Sequence, residues 1–173
     1  MEYTFWIPTI ISIVSLVWNF TQSKKIIKLE TEAEAKRVIQ KYQFEKEFNI
    51  YVELWKKLID LRNTSASLRP MLEYVDKSKS HEEIRNDKLR GLNDKFNEVV
   101  NEFEYNRPFY SKKVYNEIEK VLRTSRFEAI DFEHMTERSK EDWEQSKKNI
   151  NQIIDSVDKV SDLIRKRIEF IET

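Results

Sequence analysis

Apolar residues recur at steps of three and four along the last part of the chain, from Trp143 to Ile171. Charged and polar residues occupy most positions between them, so a helix over this range carries its apolar side chains on one face and its charges on the other. Such a helix is stabilised mainly by packing its apolar face against another element. The spacing therefore predicts a long helix that needs helical partners.

The first half of the chain supplies one such partner. Aromatic and aliphatic residues follow the same steps from Phe44 to Leu58. A neighbouring stripe extends this apolar face: Leu61, Leu68, Leu72 and Val75. We expect one amphipathic helix from Gln22 to Val75 that is bent near Pro70, because proline removes a backbone donor and clashes with the preceding turn.

Helix-start signals divide the rest of the chain. Ser80-His81-Glu82-Glu83 has the pattern of a capping box, in which the serine and glutamate side chains bond each other's backbone amides at a helix start. Arg107-Pro108 predicts the end of this second helix. Ser111 is the predicted cap of a third helix, which reaches Phe132, and Ser139 is the predicted cap of the fourth.

Glycine and proline are scarce, with one glycine and three prolines in 173 residues. Few positions can therefore interrupt helices or form turns with positive φ. Short connections between long amphipathic helices allow each apolar face to be covered by neighbours in the sequence. The sequence predicts an all-α fold whose main part is an antiparallel up-down bundle of about four long helices.

Residues Tyr3 to Phe20 contain no charged side chain. An uncharged run of about 18 residues is long enough to span a bilayer as a helix. Trp6 and Trp18 would lie near opposite ends of this span, where tryptophan is enriched at the membrane–water interface. Lys24 and Lys25 follow the span and would contact anionic lipid headgroups. We therefore predict a single transmembrane helix that continues into a long stalk helix.

Two other interpretations of this segment fit less well. A cleaved export signal has a basic start and small residues at its cleavage site, whereas Glu2 precedes the apolar run and Asn19 to Gln22 follow it. An interfacial helix carries a strongly polar face, which the segment lacks. A retained membrane anchor is the interpretation that agrees with both the length and the flanking residues.

Lysines flank only the C-terminal end of the predicted span, so the positive-inside rule places the N-terminus outside and the rest of the chain in the cytoplasm. We expect a single-pass protein of the inner cell membrane with three parts. Residues 1–21 form the anchor, residues 22–41 form a helical stalk or coiled coil, and residues 42–173 form a cytoplasmic bundle. Either the stalk pairs as a coiled coil or it packs on the bundle.

Ser12, Ser15 and Asn19 are three and four residues apart within the predicted span. Small and hydrogen-bonding residues on one face support the association of helices in lipid. These residues are therefore a candidate oligomer face, and self-association is predicted. The alternative is that Ser12 and Ser15 donate to their own backbone carbonyls one turn earlier and face lipid.

No pattern in the sequence predicts catalysis. Cysteine is absent, and the single glycine is too little for a phosphate-binding loop or a nucleophile elbow. Asp131 and His134 have the spacing of half a carboxylate-bridged metal site, but no second half occurs. We expect no enzyme activity, no cofactor and no metal site.

Aromatic residues cluster around the connection between the second and third helices. They are Phe103, Tyr105, Phe109, Tyr110 and Tyr115. A second group surrounds the next connection: Phe127, Phe132 and Trp143. Most are expected to cap the ends of the core, and a docking surface is the alternative.

Charge argues against nucleic acid as a partner. The 31 lysines and arginines are balanced by 31 aspartates and glutamates, and the basic clusters are interspersed with acidic residues. The expected partners are membrane lipid, a second copy of the chain and a protein that the sequence does not identify. The first hypothesis is a membrane-anchored scaffold or adaptor. The alternative is a membrane effector, for example in bacterial stress or antiphage defence, whose transmembrane helices oligomerise to permeabilise the membrane.

Overall fold

The computed structural model describes residues 6–70, 78–134 and 139–172, except for the side chains of 6–10, 14, 17 and 170–172. Over these ranges the chain is almost entirely helical and contains no strand. Four α-helices occur in the order α1 (Trp6–Ser67), α2 (His81–Tyr105), α3 (Lys112–His134) and α4 (Lys140–Glu172). A short 3-10 turn at Arg107–Phe109 lies between α2 and α3. The prediction of an all-α bundle is confirmed.

The predicted helix starts are confirmed by their caps. The Glu83 amide donates to the Ser80 hydroxyl at 3.2 Å, and the Ser80 amide donates to the Glu83 carboxylate at 2.7 Å. The Ser80 amide and the Ser80 hydroxyl both donate to the Glu83 carboxylate and hold its pKa below its usual value. At the start of α4 the Asp142 amide donates to the Ser139 hydroxyl at 3.0 Å, and Ser111 caps α3 through its hydroxyl in the same way. All three starts arise from local hydrogen bonds between residues three apart.

The end of α1 differs from the prediction. The helix ends at Ser67, three residues before Pro70 and before the expected bend. Proline disfavours helical conformation at the residue before it and has no amide to donate to the last turn. The helix therefore stops before the proline, where a kink had been expected. Leu72 and Val75, the predicted end of the apolar stripe, lie outside the described residues.

The chain divides into two compact units, residues 1–46 and residues 47–173. In the first unit the structure describes a single stretch of α1, and its large apolar side chains, such as Ile11, Leu16 and Trp18, are exposed. No helix in the described ranges has the length and apolar character needed to cross a membrane. Residues 3–5, where the predicted span begins, lie outside those ranges.

In the second unit, contacts between helices show that α1 and α2 run in opposite directions. The Lys57 ammonium in α1 donates to Glu102, close to the C-terminal end of α2. After α1 has ended, the Leu68 carbonyl accepts from Lys88, close to the N-terminal end of α2. The two elements are therefore antiparallel neighbours.

Helices α1 and α4 are also antiparallel neighbours in this unit. Glu47 in α1 accepts two bonds from the Arg167 guanidinium near the end of α4, at 2.9 and 3.1 Å. At the opposite end, Arg69 donates to the Asp142 carbonyl in the first turn of α4 at 3.0 Å. Helix α3 packs along α4 and also against α2. Each helix thus covers the apolar stripes of two antiparallel neighbours.

The core of this unit consists of aliphatic side chains from all four helices. Its fully buried members include Leu54, Leu58, Leu61, Val99, Ile118, Val121, Ile153, Val157 and Val160. Most of them lie on the stripes predicted from the sequence. Arg167, which shares the spacing of the α4 stripe, is exposed and pairs with Glu47, while Ile168 packs against the core beside it.

Candidate functional site

A fully buried carboxylate lies in the core of the second unit. The buried positions of α3 include Val121, Ser125, Glu128 and Phe132, so the carboxylate of Glu128 falls on the inward face with apolar neighbours one turn away. A buried charge is stable only when other groups neutralise it and hydrogen-bond to it. The groups around Glu128 must therefore supply both hydrogen bonds and a compensating charge.

Three side chains from two other segments contact this carboxylate. Ser146 and Asn149 in α4 donate to its two oxygens at 2.6 and 2.8 Å. The Arg69 side chain, 9% exposed, lies beyond the end of α1, and its Nε is 3.5 Å from the Glu128 Oε1 atom. The carboxylate therefore has two hydrogen-bond donors and one cation.

Arg69 joins three elements at this point. Besides its ion pair with Glu128 in α3, it donates to the Asp142 carbonyl in α4 and lies 5.8 Å from the ring centroid of Phe132. This geometry ties the end of α1 to α3 and α4. Buried charged networks of this kind can specify one register of packed helices, because other registers leave the charges unpaired.

Two buried hydroxyls in the same unit, those of Ser65 in α1 and Ser125 in α3, have no hydrogen-bond partner among the residues that the structure describes. Both lie on the apolar stripes of their helices, and both are essentially inaccessible to solvent. An unpaired buried hydroxyl costs about 1–3 kcal/mol, so its presence calls for a physical reason. Ser125 also lines a groove between α2 and α3.

An aromatic cluster closes the core near the connection between α2 and α3. The ring centroid of Phe103 lies 4.7 Å from that of Tyr115 and 5.9 Å from that of Tyr110. The ring centroids of Tyr110 and of Tyr51 in α1 are 6.0 Å apart. Burial, with a contribution from the carboxylate of Glu47, raises the pKa of Tyr51 to about 12. Burial also raises the pKa of Tyr110. These phenols stay protonated well above neutral pH and behave as packing residues.

Not all aromatic residues near the connections belong to this cluster. Tyr105 is 83% exposed, and Phe109, Phe127 and Trp143 are also exposed, whereas Phe132 is buried. The structure therefore divides these residues between core caps and surface positions. The exposed members are scattered over several elements.

An apolar groove of about 380 Å³ runs between α1 and α4 within the second unit. Aromatic and aliphatic side chains form most of its walls: Phe48, Tyr51, Val52, Trp55, Ile164 and Ile168. Charged residues of both signs stand at its rim: Lys56, Arg165 and Glu169. The groove lies between two antiparallel helices, and part of their apolar surface remains open there.

The residues predicted for the anchor and the oligomer face lie on α1 in the first unit. Those with described side chains are exposed: Ser12, Ser15, Trp18, Asn19, Lys24 and Lys25. The Lys24 ammonium lies 4.5 Å from the centroid of the Phe20 ring. The side chain of Trp6 lies outside the described residues. Because α1 is continuous here, Ser12, Ser15 and Asn19 fall on one helical face.

The sequence interpretation did not identify Glu128 or Arg69. A signal for Glu128 was present, because it lies three residues after Ser125 and four before the apolar Phe132, which is the spacing of one helical face. Arg69 carried no comparable signal, since it follows the end of α1 and its burial depends on α3 and α4. Charged residues are assigned to the solvent by default, and that default is wrong here.

Asp131 and His134, weighed as half of a metal site, are both exposed. Asp131 accepts a long bond of 3.4 Å from Asn149. Among the described residues, no group of three or more histidines and carboxylates could hold a metal ion.

Comparison with protein-family models, with curated proteins and with solved structures finds no match. The function must therefore be argued from the geometry.

Proposed function

We propose that the protein is a membrane-anchored scaffold or adaptor whose cytoplasmic bundle binds a protein partner through the groove between α1 and α4. The observation that carries this proposal is the groove itself, with its apolar walls and a rim of both charges. An apolar centre with a polar rim is the usual anatomy of a protein-binding surface. No chemistry is required of the bundle in this role.

The groove fits an amphipathic helix better than a compact polar ligand. Two antiparallel helices form its walls, so an added helix can lie along them and extend the bundle packing. Val52 and Ile168 offer aliphatic contact surface, and Trp55 offers a large ring of the kind enriched at binding hot spots. The proposed partner therefore presents a helix with aliphatic side chains on one face.

The uncharged run from Tyr3 to Phe20 supports the anchor. Its described large side chains are unusually exposed for apolar residues, with Leu16 at 69% and Ile13 at 55%. Exposed apolar patches on this scale mark contact with lipid or with another protein. Lys24 and Lys25 at the end of the run support an inner-membrane location with the bundle in the cytoplasm.

Photo-crosslinking tests the groove. A photoreactive amino acid is placed at Val52 or Ile168 in the full-length protein in its native membrane. Each variant is expected to give the same discrete adduct with a second protein, and the adduct at Val52 should disappear in a Trp55→Glu background. Phe127, which is 56% exposed on α3, is the matched control and should give no such adduct. An adduct at Phe127 but none in the groove would refute the assignment.

Alkaline carbonate washing of membranes tests the anchor separately. The intact, unprocessed chain should remain in the pellet, because a helix that spans the bilayer resists removal by charge and pH. Release into the supernatant would contradict the anchor without bearing on the groove. The two parts of the proposal can therefore fail independently.

A second candidate function is a membrane effector whose spans assemble to permeabilise the bilayer. The observation that favours it is the exposed face of Ser12, Ser15 and Asn19 on α1. Side chains of this kind hydrogen-bond across helices in lipid. Overexpression should then depolarise cells, and replacing all three residues with leucine should abolish the effect. A harmless protein that still captures its partner would favour the adaptor.

A further inference from the structure

A second groove, of about 540 Å³, lies between α2 and α3. Its apolar surface comes from both helices: Leu89, Leu92, Phe96 and Ala129. Its volume falls within the range of about 300–1,000 Å³ that is typical of small-molecule sites. Polar side chains around this surface distinguish it from the apolar groove between α1 and α4.

Two arginines stand on opposite walls of this groove, Arg90 on α2 and Arg126 on α3. Both are exposed, and neither lies within ion-pair distance of a carboxylate of the described residues, although Asp87, which pairs with Lys79, is near enough to Arg90 for their charges to interact. Lys95 on the same helix as Arg90, by contrast, pairs with Glu98 at 2.8 Å and with Asp60 at 3.7 Å. Among the described residues that line the groove, Glu133 is the only carboxylate, so this lining carries a net positive charge.

Neutral polar groups complete the lining. Asn93 and Asn97 on α2 contribute side-chain amides, which can both donate and accept hydrogen bonds. Ser125 on α3 also lines the groove, and its buried hydroxyl has no partner within the described structure.

From these groups we infer that the groove between α2 and α3 binds an organic phosphate of about mononucleotide size. Planar guanidinium groups recognise phosphate oxygens through paired hydrogen bonds, which Arg90 and Arg126 can form from two sides. Asn93 and Asn97 bind polar edges of the ligand, and Phe96 supplies a ring against which a flat apolar body can pack. The ligand would contact α2 and α3, whereas α1 and α4 form the proposed adaptor groove, so the two sites are separate.

Binding of adenosine monophosphate to the full-length protein in mild detergent tests this inference. Titration calorimetry should show saturable binding of this probe, with adenosine and inorganic phosphate each binding more weakly. Arg90→Gln and Arg126→Gln should each raise the dissociation constant by about tenfold or more, because each removes charge-assisted hydrogen bonds. Arg123→Gln is the matched control, since Arg123 is exposed on the same helix but does not line the groove.

Three results would overturn the inference. The first is the absence of heat from millimolar adenosine monophosphate. The second is binding that survives unchanged in both Arg90→Gln and Arg126→Gln, or that falls equally in Arg123→Gln. The third is binding of adenosine or of inorganic phosphate as tight as that of the nucleotide, which would remove the role given either to the arginines or to the apolar surface.

Discussion

Replacing Arg69 and Glu128, singly and together, tests whether the buried charges hold the bundle together as a pair. The Glu128 side chain is fully buried and that of Arg69 is 9% exposed, so neither can return to water without disturbing the packing. Removing one partner of a buried ion pair costs about 3–5 kcal/mol, because the other charge is left uncompensated. The two variants are Arg69→Met and Glu128→Leu, which keep similar volumes.

The contacts that each substitution removes predict which variant loses more unfolding free energy. Arg69→Met leaves the carboxylate its bonds from Ser146 and Asn149, at 2.6 and 2.8 Å, and removes a cation at 3.5 Å. A loss of about 3 kcal/mol is therefore expected. Glu128→Leu leaves the Arg69 charge without a carboxylate, the Ser146 hydroxyl without its acceptor and Asn149 with only its long bond to Asp131, so its cost should approach about 5 kcal/mol. The double variant should be no less stable than the worse single variant, giving a coupling of about 3 kcal/mol.

Urea unfolding of the full-length protein in mild detergent, followed by far-ultraviolet circular dichroism, measures these differences. A cost of about 3 kcal/mol lowers the unfolding midpoint by at least about 1 M, given the usual dependence on urea. Glu144→Leu is the control, because within the described structure Glu144 forms an exposed pair with Lys140 at 3.9 Å and no other ion pair. This substitution should change stability by less than about 1 kcal/mol. Strictly additive costs, or an unchanged stability of Glu128→Leu, would refute the paired-charge explanation.

Further predictions concern single side chains and the second unit. Ser65→Ala should preserve stability or raise it by up to about 1 kcal/mol, because it removes a buried hydroxyl that has no partner among the described residues. Ser146→Ala should lower stability by about 1–3 kcal/mol, because it removes the hydrogen bond to the Glu128 carboxylate. Urea unfolding of the two variants measures both changes. Gly91→Ala should stabilise α2 by up to about 1 kcal/mol in thermal unfolding, because an added Cβ would meet no atom within 4 Å. The free energy of unfolding should fall as the pH rises from 10.0 to about 12, because Tyr51 ionises at its ordinary pKa in the unfolded chain and at a raised pKa in the folded protein. Tyr51→Phe should make this fall smaller when unfolding is measured across that pH range. Residues 40–173 alone should remain in solution without detergent and be strongly helical, which a mainly non-helical circular dichroism spectrum would contradict.

Helix starts were predictable because they depend on residues three apart. The bonds at Ser80, Ser111 and Ser139 need no contact with the rest of the fold. The end of α1 was less predictable, because Pro70 permits either a kink or a stop and its own sequence does not choose between them. Local signals thus specify where a helix can begin better than where it ends.

The candidate sites were harder to anticipate. Each groove depends on how two helices pack side by side. Trp55 and Phe96 therefore belong to regular apolar faces in the sequence but line open surface in the structure. Arg90 and Arg126 line the same groove only because of the relative register of α2 and α3. No periodicity within either helix encodes that register.

The amino-acid sequence by itself determined that the chain is helical, where three of its helices begin and which faces are apolar, because backbone hydrogen bonds and side-chain periodicity act over a few residues. Only the tertiary structure decided that the carboxylate of Glu128 lies in the core beside Arg69, and which surfaces stay open as grooves. The physical reason is that burial and pairing of charge are set by contacts between segments distant in the chain, whose geometry follows from the packing of all four helices together.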